Sequence, residues 1–300
     1  MTSAHPEHPL AAYLALVFGI LCIGFSAIFV KLAQVPGPVS AFYRVLIAGV
    51  VILPWWLAGR SRRPGPAPQD LRLIMAGGIF FALDIALWNT SLLLTPAATA
   101  TLLANNAPLW VGLASFILFH ERLSKRYWLG LAVALAGMMW LLGGDAYRQL
   151  RLSSGNLLAV AASVFYAAYL LTTQRARARV DLLTFMAISN LSSVLILLLV
   201  NLAMGTTLTG FSHRTWFALA GLGLVSQLGG WLGINYALGH LRAAPVSVWL
   251  LAQTVVTALV AMPVLGEYLK FNQLVGGALI LAGIYFVTQG SDSRSIQVPE

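Results

Sequence analysis

The sequence predicts an all-α membrane protein of ten transmembrane helices in two inverted five-helix repeats. Three observations predict it: a composition too poor in charge for a watery surface, ten apolar runs of membrane-crossing length, and self-similarity at an offset of 146 residues.

Of the 300 residues, 59% are hydrophobic and 9% charged. Soluble domains carry about 25% charged residues, so this chain needs lipid as its solvent. The formal charge is +9, from 18 Lys and Arg against 9 Asp and Glu. The cations sit between apolar runs, so topology explains the excess and nucleic acid is not needed as a partner. One cysteine, Cys22, excludes an internal disulfide and a cysteine zinc cluster. No Lys or Arg precedes the first apolar run and no small-residue cleavage pattern follows it, so it reads as a retained helix.

A spanning helix needs about 20 mostly apolar residues. The runs are Leu10–Leu32, Val39–Ala58, Leu71–Leu94, Ala97–Phe119, Tyr127–Leu142, Asn156–Thr173, Leu182–Ala203, Trp216–Leu238, Ala244–Leu265 and Phe271–Val287. Turn chemistry separates them at Val35-Pro36-Gly37-Pro38, at the Arg, Pro and Gly of 59–68, at Thr95-Pro96 and at Ser153-Ser154-Gly155. Arg60, Arg62, Arg63, Arg72, Arg122, Lys125, Arg126, Arg175, Arg177, Arg179, Arg242 and Arg294 fall on one side; Lys31, Arg148, Arg151, Arg214 and Lys270 fall on the other. The 12 to 5 split puts both termini in the cytoplasm.

At the 146-residue offset, Asn89 meets Asn235, Glu121 meets Glu267, Gly130 meets Gly276, and Leu135-Ala136-Gly137 meet Leu281-Ala282-Gly283. The expected units are residues 1–145 and 146–300. Five helices per unit is an odd number, so the second copy enters the membrane from the opposite side. Inverted repeats mark alternating-access carriers, because two like halves in opposite senses give two states of similar energy.

The carrying motifs are Phe42-Tyr43-Arg44-Val45-Leu46-Ile47-Ala48, Asn89-Thr90-Ser91-Leu92, Leu118-Phe119-His120-Glu121-Arg122-Leu123, and the glycine-bearing stretch from Gly130 to Gly137. Echoes follow at Asn235-Tyr236-Ala237-Leu238, Leu265-Gly266-Glu267-Tyr268-Leu269 and Gly276 to Gly283. In this ordered set the chain resembles the EamA-type branch of the drug/metabolite transporter superfamily over nearly its whole length. The resemblance implies carriage of small metabolites, often outward, across a bacterial inner membrane, and within the branch the chain is similar to amino-acid exporters. It implies no cofactor.

Polar groups at membrane depth face a cavity or the bundle interior. Those near helix centres are Asp84, Asn105, Asn106, Gln227 and Gln253, beside Thr254. Gln227, Trp231 and Asn235 share one stripe at i, i+4, i+8, and Asp84 with Trp88, Asn106 with Trp110 and Trp249 with Gln253 repeat the i, i+4 pairing. With Asn89 these make the candidate substrate-binding set. Aromatic faces beside amides suit an organic solute with apolar and hydrogen-bonding parts, and a Trp face attracts an ammonium. The alternative for each amide is glue between helices, worth about 0.6 kcal/mol. Asp84 could carry a proton, bind an ammonium, or pair while neutral. Arg44 could snorkel, hold a carboxylate, or organise the bundle. Glu121 and Glu267, with Arg44, are the candidate gating residues, although an interfacial salt bridge explains the two acids equally. Pro108 and Pro263 should bend their helices. No HExxH or GxSxG occurs, which argues against an intramembrane enzyme, and no metal-ligand cluster is apparent. Export of cationic organic compounds is the competing transport reading.

Overall fold

The computed structural model describes residues 9–59, 65–143, 153–265 and 270–291. Glu267 and the basic residues Arg60, Arg62, Arg63, Arg148, Arg151 and Arg294 lie outside the described residues, as do the two tails. The described elements are all helical: α1 (Pro9–Gly24), α2 (Ser26–Ala33), α3 (Gly37–Gly59), α4 (Pro68–Leu94), α5 (Ala97–Ala104), α6 (Ala107–Phe119) and α7 (Lys125–Leu142) in the first half. The second half holds α8 (Ser154–Arg177), α9 (Leu182–Ala203), α10 (His213–Gly221), a π-helical stretch (Leu222–Gly230), α11 (Trp231–Leu238), α12 (Ala243–Trp249), α13 (Ala252–Leu265) and α14 (Phe271–Ser291).

Taken through their kinks, nine of these helical rods, among the described residues, are long and apolar enough to cross a membrane. That is one fewer than the ten apolar runs. The difference is α7, which spans 18 residues and opens on Lys125-Arg126, two cations that dilute its apolar content.

Three of the rods are interrupted. The first breaks at Phe25, where the Thr257 hydroxyl donates to the Gly24 carbonyl at 2.8 Å and Val256 occupies the space a Gly24 side chain would need. The fourth breaks at Asn105-Asn106 and the ninth at Leu250-Leu251. Both breaks are bridged by tightened i→i+3 bonds, Asn106 N to Leu103 O and Leu251 N to Val248 O. Position 105 maps onto position 251 at the 146-residue offset, so the two halves bend at the same place.

Packing between α7 and α14 is reciprocal. A side chain on Gly130 would strike the Gly283 carbonyl at 2.6 Å, and one on Gly137 would strike the Gly276 carbonyl at 2.8 Å. Gly276 and Gly283 are the offset partners of Gly130 and Gly137. These two helices, matched at the offset, therefore meet antiparallel, each glycine facing the offset partner of the other. Small residues allow this approach because in lipid van der Waals contact, not the hydrophobic effect, drives helix association.

Candidate functional site

A cavity of about 310 Å³ opens between the halves. Its middle is lined by Ser26 and Ala27 just beyond the first break, Asn105 at the second, and Gln253 and Thr254 just beyond the third. At one end it is lined by Lys31, Leu141, Leu142 and Gln273, which stand at the terminus of α2, the terminus of α7 and the start of α14. These termini share one end of the bundle, where the Asn272 amide reaches the Leu141 carbonyl at 3.4 Å.

At the opposite end, hydrogen bonds and one ion pair tie helix termini together. Arg177 donates from Nε to the Asn235 carbonyl at 3.1 Å and from Nη1 to the Val180 carbonyl. The Ala243 N–H donates to Gln174 Oε1 at 2.7 Å, and Arg179 meets Asp70 at 3.4 Å. Arg179 is largely exposed, so that ion pair contributes little, whereas Arg177 satisfies carbonyls at two helix ends.

Arg44 and Asp84 both line the cavity and are both buried. The Arg44 guanidinium donates from Nε to Gln227 Oε1 at 2.7 Å and from Nη1 to Ser26 Oγ at 3.0 Å, with its carbon 5.7 Å from the Phe81 ring centre. Gln227 in turn donates to Asn190 Oδ1 at 3.4 Å. A snorkelling arginine would point to an interface; this one is held across the bundle interior. No ion pair within 4.0 Å joins Asp84 and Arg44.

The aromatic wall is Trp88, Tyr166 and Trp231, all on the lining. Trp231 is clamped edge-on by Phe81, Tyr166 and Tyr169 at centroid distances of 4.9, 6.0 and 5.0 Å. Its buried indole N–H has no acceptor among the described residues.

Of the sequence-derived candidates, Arg44, Asp84, Trp88, Asn105, Trp231 and Gln253 come together on the cavity. Gln253 donates to Asn105 Oδ1 at 2.9 Å and so ties the fourth rod to the ninth beside their breaks. Gln227 stands behind Arg44. The rest bond between or within helices away from the lining. Asn89 donates to Ser40 Oγ at 2.8 Å and Asn235 accepts from the Tyr169 hydroxyl at 3.0 Å. Asn106 caps its own preceding turn through Leu102 O at 2.8 Å. Trp110 donates to Ser163 Oγ at 2.8 Å and Trp249 to Thr288 Oγ1 at 3.0 Å. Glu121 follows α6, where its N–H donates to the Ser115 carbonyl at 2.9 Å. Sequence reading passed over Ser26, Tyr166, Thr257 and Gln273. The signal for Ser26 was available, since it follows Gly24 by two residues in the first helix.

The EamA-like transporter family is matched over residues 10–143 and 153–289. The chain belongs to the EamA-like transporter family. An uncharacterized transporter of Archaeoglobus fulgidus is 24% identical over 283 residues, covering 92% of this chain and 96% of that protein. A protein of Streptantibioticus cattleyicolor described as a probable terminal-alkyne amino-acid exporter is 29% identical over 235 residues, covering 76% of this chain and 77% of that one. A solved crystal structure at 23% identity superposes with a TM-score of 0.76 over 94% of this chain and 98% of its own. This EamA-family chain is therefore a multi-pass membrane protein of a transporter family.

Proposed function

We propose that this EamA-family chain carries neutral amino acids, aromatic ones among them, out of the cell by alternating access between two inverted five-helix repeats in a bacterial cytoplasmic membrane. The observation that carries the reading is the cavity: polar and aromatic side chains converge mid-bundle, one end is lined out to the helix termini, and the other end is tied by Arg177 and Gln174. The 12 to 5 cation split supports the lined end as the outer one. The reciprocal glycine seam and the paired breaks support a two-fold relation between the halves, which is what makes inward- and outward-open states close in energy. The exporter from Streptantibioticus cattleyicolor supports the solute class.

Counterflow in proteoliposomes tests it. Vesicles loaded with unlabelled amino acids should accumulate labelled ones faster than protein-free vesicles. Folded protein that exchanges none of the neutral amino acids refutes the reading. Export of organic cations is favoured by Asp84 alone, and Arg44 on the same cavity opposes it, since a buried guanidinium repels a second cation.

A further inference from the structure

We propose that the cavity recognises a solute by both of its charges at once, with Asp84 taking an ammonium and Arg44 a carboxylate, so that the site selects zwitterions over amines and acids of the same size. The proposal rests on the transport reading above and deepens it.

Two buried ionisable groups, one basic and one acidic, line one cavity with no ion pair between them. Arg44 is held by Gln227, Ser26 and the face of Phe81. Those two hydrogen bonds use two of the five guanidinium N–H groups. The remaining donors suit a carboxylate, whose two oxygens match the fork. No hydrogen bond from a described residue reaches the Asp84 carboxylate, and its residue lines the cavity. A buried ionisable group left without a fixed partner inside a membrane is expensive and is retained for use.

Symmetry sharpens the argument. The offset partners of Arg44 and Asp84 are Asn190 and Gly230. Both groups therefore come from one half, although the break at positions 105 and 251 and the glycine seam recur in both. A fixed dipole with a gap is complementary to a solute carrying the opposite dipole and no net charge. Such a solute also crosses the membrane without electrical work, which a net charge would require. Trp88, Tyr166 and Trp231 then face the remainder of the solute, and Gln227 acts as the positioning residue for Arg44.

Proteoliposomes with the full chain, loaded with phenylalanine, leucine and alanine, would be tested for uptake of the same three in labelled form. For each, the competitors are its amide, its decarboxylated amine and its deaminated acid. Losing one charge-assisted partner should weaken competition roughly 10- to 100-fold. Asp84→Asn should lower the apparent affinity for the parent amino acids by a similar factor, while the deaminated acids lose less than about three-fold. Amines or amides that compete as well as the parents overturn the two-charge site and leave amino-acid transport standing. Absence of exchange for all three labelled solutes removes the transport reading itself. If Asp84→Asn lowers the thermal unfolding midpoint, the competitor panel on the unsubstituted protein decides alone.

Discussion

Gly283→Ala offers the sharpest test of the seam between the halves. The added Cβ would lie 2.5 Å from the Gly130 carbonyl, 2.6 Å from the Ala134 nitrogen and 2.7 Å from the Ala134 Cβ. All three are backbone or Cβ atoms, so no rotamer change relieves the contact. Ordinary van der Waals contact begins at about 3.5 Å, so α7 and α14 must part by about 1 Å along part of the seam. Overpacking of this kind costs about 1–3 kcal/mol. Alanine returns about 0.5–1 kcal/mol by its better helix propensity. The net expectation is about 1–2 kcal/mol of destabilisation. Gly49→Ala is the control: a Cβ there meets nothing within 4 Å, so only the favourable propensity term remains and the change should be neutral or stabilising. Unfolding in detergent, followed as fraction unfolded against SDS mole fraction, reads both. Gly130→Ala presses on the same seam from the other side, with its Cβ 2.6 Å from the Gly283 carbonyl. The pair should cost less than the sum of the two single changes, because helices already parted need not part again. Full additivity, or Gly283→Ala as mild as Gly49→Ala, would refute the close antiparallel packing.

Three further outcomes follow from the site. Gln227→Ala removes the acceptor of Arg44 Nε in the bundle interior and should destabilise by about 1.5–3 kcal/mol, measured in the same unfolding assay. Gln227→Glu keeps an acceptor there but sets a carboxylate against the guanidinium; counterflow should fall at least about ten-fold with stability changed by less than about 1 kcal/mol, reflecting a quenched charge more than a lost contact. Gln253→Ala leaves the Oδ1 of the buried Asn105 without its donor, so stability should fall by about 1–3 kcal/mol while transport drops, and unchanged transport would relegate the pair to helix packing.

Much of this architecture was legible in the sequence because its causes are local. Apolar run length sets the rods, Pro and Gly set their ends, and the 146-residue offset predicts that α7 and α14 are equivalent helices. The bends were half legible. Pro108 marks one, two residues beyond Asn106, but the matching break falls at Leu250-Leu251, well before Pro263 where a bend is expected, and the repeat, not the side chains, points to it. The π-helical stretch Leu222–Gly230 has only its glycines, Gly223 and the Gly229-Gly230 pair, as local hints. The site was less legible, because an amide at membrane depth serves equally as ligand or as glue. Trp231 and Asn235 share a helical stripe, yet Trp231 lines the cavity and Asn235 faces the Tyr169 hydroxyl. What separates them is which neighbour offers a hydroxyl, and that neighbour is 66 residues away in sequence. Arg44 likewise sits in a recognisable motif, but its fixing partner Gln227 is 183 residues distant.

Alternation between the two ends is the claim on which the rest depends, and paired distances measure it most directly. With Cys22→Ser removing the sole cysteine, spin labels on Lys31→Cys and Gln273→Cys would span the lined end, and labels on Gln174→Cys and His240→Cys the tied end. The account predicts two populations at each end that shift in opposite directions when an amino acid is added: the first pair narrows as the second widens. A single distance at both ends, unmoved by any amino acid that the protein exchanges, would contradict it.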